Sequence, residues 1–192
     1  MDSEQRIKNV FLRYGIMLGL ILLALSILSY YLITRATTSP VLFVAIPIFF
    51  SLFIPIVLTV FFCFNGRRKL GGYLTFKQAT TGIFIMFLIA YIIQFIGKDV
   101  VFNKFIEPNN IVNTQNAAIK AKTALMKQRL DAQKVIGNSI NEMKKDFAIQ
   151  QKTTIGSTIQ GIIFSILFIF LFALIFGSLF KKVPPEFDGK NF

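Results

Sequence analysis

The residues that could do acid–base, nucleophilic or metal chemistry are few in this chain, and they are scattered. It contains no histidine, one cysteine, Cys63, and nine carboxylates. No spacing among them is typical of metal ligands, a phosphate-binding loop or a nucleotide-binding glycine motif. Enzymes of the bilayer usually keep ionisable residues inside their membrane spans, whereas the long apolar runs of this chain hold none. We therefore expect no catalytic, cofactor-binding or metal-binding residue, no cofactor, and no enzymatic activity.

Uncharged polar residues and prolines supply the remaining chemistry of the apolar runs. Gln94 lies near the end of the third run and Gln160 near the start of the fourth, so antiparallel helices would place both amides at a similar depth. We expect an interhelical hydrogen bond between them, worth about 0.6–2 kcal/mol, and a polar ligand site is the alternative. Pro47 and Pro55 in the second run each remove a backbone hydrogen bond. They predict static kinks or, alternatively, a hinge or ion site.

Four apolar segments carry these residues, and each is long enough to cross a membrane. Of the 192 residues, 54% are apolar, and the mean hydropathy is +0.64. Each segment has roughly 20 residues, which as a helix spans a hydrocarbon core of about 30 Å. Four buried helices of a soluble protein are the alternative, but too little chain remains to cover so much apolar surface. The predicted fold class is all-α, a polytopic membrane protein with four transmembrane helices and a long helical extramembrane arm between the third and the fourth.

The segments divide the chain into two tails, four spans and one arm. The predicted boundaries are a basic tail at 1–13, transmembrane helices at about 14–34, 41–64 and 76–97, the helical arm at 98–156, a fourth transmembrane helix at 157–180, and a second tail at 181–192.

Lysine and arginine beside the spans predict the orientation, because these residues concentrate in cytoplasmic loops. Both tails and the loop after the second span are basic, with cations at Arg6, Lys8, Arg13, Arg67, Arg68, Lys69, Lys77, Lys181, Lys182 and Lys190. We therefore expect both termini in the cytoplasm and the arm outside it. The arm is also basic, but it approaches the length, about 60 residues, beyond which charge has little influence on translocation.

The net charge of +12 therefore reflects in part the concentration of lysine and arginine in the segments expected on the cytoplasmic side. Attraction to anionic lipid headgroups is the simplest explanation of these basic segments. We predict no nucleic-acid binding, since no signature of a nucleic-acid-binding fold accompanies the charge. The lipid bilayer is the expected partner of the four spans.

Small residues recur at helical spacing on three of the spans and predict faces where helix backbones approach closely. The first span has Gly15 and Gly19. On the third span, the small residues Gly82 and Ala90 alternate with Met86 and Gln94 at four-residue spacing. On the fourth span, the series is Ser157, Gly161, Ser165, Ala173 and Gly177.

The connection into the third span carries the clearest local signal. Thr75 and Gln78 have the T-x-x-Q spacing of a capping box, in which each side chain accepts a hydrogen bond from the other residue's backbone amide. The third helix is therefore predicted to begin near Phe76.

Residues 71–79, GGYLTFKQA, are similar to the central signature of a bacterial family of four-helix membrane proteins known only as a domain of unknown function. The basic tail before the first span, the polar arm and the Lys181-Lys182 ending resemble that family too. The resemblance implies an uncharacterised integral membrane protein of the bacterial inner membrane. It brings no activity and no functional residues to this chain.

The arm, most polar from about residue 103 to 152, is where we expect any activity. Pro108 should end the third helix, and Asn109 or Asn110 can cap a new one. An apolar stripe is predicted at Leu125, Ala132, Ile136, Ile140, Met143 and Phe147, with Lys127, Arg129, Lys134, Lys144 and Lys145 mostly off it. Because both ends must return to the membrane, the arm should bend near residues 137–139 or lie along the membrane surface.

The stripe fits packing of the arm against itself or the bundle, and partner binding and docking on the membrane surface are the alternatives. We predict a non-catalytic membrane protein with a structural or partner-binding role, through contact of the arm with a protein partner or through self-association. A small transporter or channel-type subunit and a lipid-sensing membrane protein are the alternative functions.

Overall fold

The structure is a computed structural model that describes residues 3–37, 39–129, 133–151 and 155–183. Its α-helices are α1 (Ser3–Tyr31), α2 (Pro40–Ile48), α3 (Ile54–Lys69), α4 (Phe76–Gln94), α5 (Asn110–Gln128), α6 (Gln133–Gln151) and α7 (Ile155–Phe180). Three π-helical segments adjoin them, Leu32–Ala36 after α1, Phe49–Phe53 between α2 and α3, and Phe95–Ile106 after α4. No strand occurs within the described ranges, and the all-α class is confirmed for that part of the chain.

Four helical runs are long and apolar enough to cross a membrane, as predicted. They are the first span, Glu4–Ala36, the second, Pro40–Lys69, the third, Phe76–Ile106, and the fourth, Gly156–Phe180. The first three are longer than the apolar segments within them, because helical hydrogen bonding continues past the first charged residue. The third helical run therefore continues to Ile106, past residue 98, where the helical arm is predicted to begin.

Proline accounts for the irregular second span. Pro47 lies inside α2 and Pro55 is the second residue of α3. Neither can donate a backbone hydrogen bond, and the ring of each crowds the carbonyl four residues earlier. Between them the helix widens, and the Ile54 amide donates to the Phe49 carbonyl, one residue farther back than in an α-helix.

The chain forms two compact units, each assembled from parts of several spans. Unit 1 comprises Met1–Gly19, Val57–Ile92 and Ile163–Phe192, and unit 2 comprises Leu20–Ile56 and Ile93–Ile162.

Small residues allow close helix packing in unit 1. An ideal Cβ on Gly15 would lie 2.8 Å from the Met86 carbonyl oxygen, and a Cβ on Gly82 would overlap the Phe11 ring. A Cβ on Gly177 would likewise overlap Thr80, and Ala173, one turn earlier on α7, is fully buried. The predicted packing faces are confirmed at these glycines.

The predicted capping box is present in the same unit. The Thr75 amide donates to Gln78 Oε1 at 3.0 Å, the Gln78 amide donates to Thr75 Oγ1 at 3.3 Å, and α4 begins at Phe76. Just before it, Leu74 and Lys182 exchange two backbone hydrogen bonds of 2.8 Å. Residues 71–79 and the Lys181-Lys182 pair, which are remote in sequence, therefore lie side by side.

Unit 2 contains α5 and α6, which pack on each other as a hairpin. Gly137 lies inside α6, and α5 ends at Gln128, so a bend near residues 137–139, one of the two alternatives predicted for the arm, is not found. A glycine inside a helix costs only about 0.5–1 kcal/mol relative to alanine. Burial of the neighbouring Ile136 offsets a penalty of that size, since burying such a side chain contributes about 1.5–3 kcal/mol.

Candidate functional site

At the base of the α5–α6 hairpin, one carboxylate joins the end of the first span to the end of the third. Glu107 Oε1 accepts hydrogen bonds from Arg35 Nη2 at 2.8 Å and from the Tyr31 hydroxyl at 3.2 Å. The Arg35 guanidinium also lies over the Tyr31 ring, 4.8 Å from its centroid. The Glu107 side chain is 14% exposed and that of Arg35 is 69% exposed. The ion pair is thus shielded on one side only, and we expect it to contribute about 1 kcal/mol, the upper end of the range for surface pairs.

A proline places Glu107 in this position. The ring of Pro108 disfavours helical angles at the preceding residue, and Glu107 has φ −129° and ψ 69°. The Glu107 amide closes the last wide turn of the third span by donating to the Phe102 carbonyl at 2.8 Å. The Glu107 carbonyl accepts from the Asn110 amide at 2.9 Å, where α5 begins. The predicted helix end at Pro108 and new start at Asn110 are confirmed, although Asn109 forms no side-chain cap.

Aromatic rings pack around this ion pair. Tyr30, Tyr31 and Phe102 meet edge to face, with centroid separations of 5.2 Å, 5.2 Å and 6.0 Å for the three pairs. Phe102 is only 2% exposed. From the first turn of α5, Asn113 Nδ2 donates to the Tyr30 hydroxyl at 3.1 Å. The hairpin base is therefore held against the end of the first span by the ion pair with Arg35 and by hydrogen bonds to both tyrosines.

The first helix of the hairpin packs on its surroundings through small and apolar side chains. Ala118, Ala121 and Met126 of α5 are buried. This helix contacts α2 and the Leu32–Ala36 segment as well as α6.

The second helix shows the predicted apolar stripe. On α6, Ile136 is buried and Ile140, Met143 and Phe147 are half-buried, whereas every lysine of this helix is exposed. Leu125, the α5 member of the stripe, is half-buried too, and Ala132 lies outside the described residues. The stripe is confirmed at the described positions, and the contact between α5 and α6 favours packing of the arm against itself.

Charge on the outside of the hairpin is strongly one-sided. Its exposed cations are Lys120, Lys127, Arg129, Lys134, Lys144 and Lys145, and its exposed carboxylates are Glu142 and Asp146. None of these six cations forms an ion pair with another described residue. Six exposed cations against two exposed carboxylates give the described part of this surface a net positive charge.

Below the hairpin, an apolar groove of about 900 Å³ follows the second span. Its walls include Pro40, Val44, Phe49 and Phe53, and Leu125 of α5 lines it as well. Every side chain that lines the groove is apolar. Such a groove suits a hydrocarbon chain and offers no group for acid–base chemistry.

The predicted pairing of Gln94 with Gln160 is wrong. No hydrogen bond joins the two side chains in the described part of the chain; Gln94 is half-buried and Gln160 is exposed. The error has a physical cause, since amides near a membrane surface can bond to water, and equal depth does not make two side chains face each other. Cys63 is buried in unit 1.

The base of the hairpin was not predicted from the sequence, although two signals point towards it. Tyr30-Tyr31 followed by Arg35 places three interfacial side chains at the end of a span. Glu107 is a carboxylate directly before a proline. Pairing between residues that are 72 positions apart cannot be read from either signal alone.

The described residues include no group of three or more histidine, cysteine or carboxylate side chains that could hold a metal ion. The ion pair and the hydrogen bonds at the hairpin base join the start of the hairpin to the end of the first span.

Comparison with known proteins gives one family. The model of a family described as "Protein of unknown function (DUF4199)" matches residues 13–182. Neither the curated proteins nor the solved structures give a match.

Proposed function

The chain belongs to the family described as a protein of unknown function, DUF4199, and since that membership names no activity, we propose from the geometry that it is a non-catalytic integral membrane protein that binds an acidic protein partner through its α5–α6 hairpin. The four spans cross the bacterial inner membrane, both termini lie in the cytoplasm, and the hairpin is displayed on the opposite side. The charge of the tails and of the loop after the second span supports this orientation.

The observation that carries the proposal is a cationic surface on an anchored hairpin. Six exposed cations lack an ion-pair partner among the described residues. The base below them is fixed by Glu107, Tyr31 and Asn113. A preorganised surface loses less conformational entropy on binding, and unneutralised charge speeds encounter with an oppositely charged partner.

The same charge argues against self-association through this face. Two hairpins meeting face to face would bring like charges together, and such contacts oppose association. An acidic partner is favoured over a second copy of the chain for this reason.

A lipid-binding role is the second candidate, and the apolar groove beside Leu125 favours it. In that case an acyl chain would lie against the second span. Docking of the α6 stripe on a bilayer is less well supported, because Ile136 is buried within the structure and is not presented outwards.

The proposal is tested by photo-crosslinking in native membranes. A photoreactive residue is introduced at Lys134 or at Asn138, both exposed positions on α6, and at exposed Arg68 as the control on the opposite side of the membrane. We expect a discrete adduct from the two hairpin positions and not from Arg68. Tandem mass spectrometry of the adduct should identify peptides rich in aspartate and glutamate.

Charge variants make the test specific. The triple change Lys127→Glu, Lys144→Glu and Lys145→Glu should abolish the adduct formed from Asn138, whereas changing the same three lysines to arginine should preserve it. An adduct that survives charge reversal, or one made only with lipid, would refute the acidic-protein proposal. The lipid outcome would favour the second candidate.

A further inference from the structure

Unit 1 contains a second cationic region, and this one encloses a cavity. The cavity has a volume of about 410 Å³ and lies between one face of α1 and the end of α3. Its polar wall includes Arg6, Asn9, Arg13 and Lys69, and its apolar wall includes Met17.

Direct contacts hold the cations of the two helices together. Arg6 Nη2 donates to the Lys69 carbonyl at 3.3 Å. Lys69 Nζ lies 5.1 Å from the centroid of the Tyr14 ring, and that ring packs on Phe62 at 5.2 Å. Tyr14 is itself buried, so Lys69 extends over a fixed support towards α1.

The charge in this cavity lacks a counterion among the described residues. No carboxylate lines it, and Arg6, Arg13 and Lys69 form no ion pair with any described residue. Cations gathered around one cavity repel one another, and an anion placed among them relieves that repulsion. Guanidinium groups suit phosphate in particular, because their N–H donors match its oxygens in pairs.

The cavity is also graded along the α1 axis from charged to apolar. Its charged wall extends from Arg6 to Arg13. Met17 follows Arg13 by one helical turn, roughly 6 Å at the rise of an α-helix, and half of its surface is exposed. A small free anion would use only the charged end. A molecule with phosphate at one end and hydrocarbon at the other would use both.

We propose that this cavity binds the phosphate headgroup of an anionic phospholipid, whose acyl chain leaves past Met17. Arg6, Arg13 and Lys69 contact the phosphate, and Tyr14 supports Lys69 from beneath. The site involves unit 1 alone, so its failure would leave the hairpin proposal unaffected, and the reverse also holds.

Native mass spectrometry of the full chain in detergent tests this site. The protein is titrated with phosphatidylglycerol, with phosphatidylcholine of equal chain length, and with phosphatidylglycerol in the presence of a large excess of inorganic phosphate. We expect saturable binding of phosphatidylglycerol, much weaker binding of phosphatidylcholine, and little displacement by inorganic phosphate. Equal binding of both lipids, or full displacement by phosphate, would overturn the proposal.

Two sets of variants locate the binding. The triple change Arg6→Gln, Arg13→Gln and Lys69→Gln should weaken phosphatidylglycerol binding roughly a hundredfold, since each of the three cations near an anionic headgroup contributes about fivefold. The matched control is the triple change Lys8→Gln, Arg68→Gln and Lys77→Gln. It removes the same charge from exposed positions outside this cavity and should bind phosphatidylglycerol as the unchanged chain does.

Arg13→Gln alone is the test if the first triple variant fails to fold, because the Arg13 side chain forms no hydrogen bond with another described residue. This single change should still weaken phosphatidylglycerol binding. Unchanged binding in the folded variants would refute the site.

Discussion

Glu107 is a single residue on which two parts of the chain depend. One carboxylate oxygen accepts from Arg35 and from Tyr31, while the backbone of the same residue ends the third span. Its charge is mostly shielded, whereas that of Arg35 is mostly in solvent. The two partners should therefore respond differently to mutation.

Arg35→Gln should lower the free energy of unfolding by about 1 kcal/mol at most, the contribution expected of its ion pair, because an exposed guanidinium loses little else when that pair is broken. Glu107→Leu should cost more, about 1–2 kcal/mol, because two donors lose their acceptor. The double variant should cost less than the sum of the two, since both changes remove the same contact. Chemical denaturation of the purified chain in detergent measures all three, and strict additivity would contradict the shared-oxygen geometry.

Glycines provide a second contrast at the level of the residue. Gly82→Ala should destabilise the chain by about 1–3 kcal/mol, since its Cβ would overlap Phe11, a fully buried ring. Gly137→Ala is the control, because a Cβ there would have open space, and it should stabilise α6 by about 0.5–1 kcal/mol. Thermal unfolding in detergent compares the two. Equal effects would mean that α1 and α4 do not pack as closely as described.

Among the helices, the ends that have a local chemical cause are the ones the sequence predicts. Thr75 with Gln78 fixes the start of α4, and Pro108 fixes the end of the third span. The sequence does not predict the end of α5 at Gln128, because Gly137 is the more obvious helix-breaking residue. The conformational cost of a glycine inside a helix favours a break at that position, but burial of Ile136 offsets this cost in the structure. The Arg35–Glu107 contact also depends on the tertiary fold, because each of these two residues has many possible partners in the sequence.

The apolar stripe of α6 can be tested at the level of the helix. Ile136→Glu or Phe147→Glu should loosen the hairpin by roughly 2–3 kcal/mol, because a charge would enter a face that is buried or half-buried. Lys144→Glu, at an exposed position on the same helix, should change stability by less than about 0.5 kcal/mol. Hydrogen exchange of the α5 and α6 amides reports the loosening directly. If all three variants exchanged alike, the stripe would not be a packing face.

For the molecule as a whole, composition alone predicts four helices that are long and apolar enough to cross a membrane. The charge of the tails and loops predicts their direction across it. Cysteines introduced at Gln128 and Lys190, after Cys63→Ser, should react oppositely with a membrane-impermeant thiol reagent applied to intact cells. We expect labelling at Gln128→Cys and protection at Lys190→Cys until the membrane is permeabilised. The opposite pattern would place the hairpin in the cytoplasm and contradict the proposed orientation.

The bridge between Leu74 and Lys182 makes the order of synthesis relevant to folding. Leu74 is 2% exposed, and both of its backbone polar groups bond to Lys182. A ribosome makes Leu74 before the hairpin and the whole fourth span, and makes Lys182 after them. During that interval the amide and carbonyl of Leu74 lack their final partner, and the segment just before α4 lacks the backbone hydrogen bonds to Lys182. The nascent chain can therefore form the bridge beside the start of α4 only after its last span has been made.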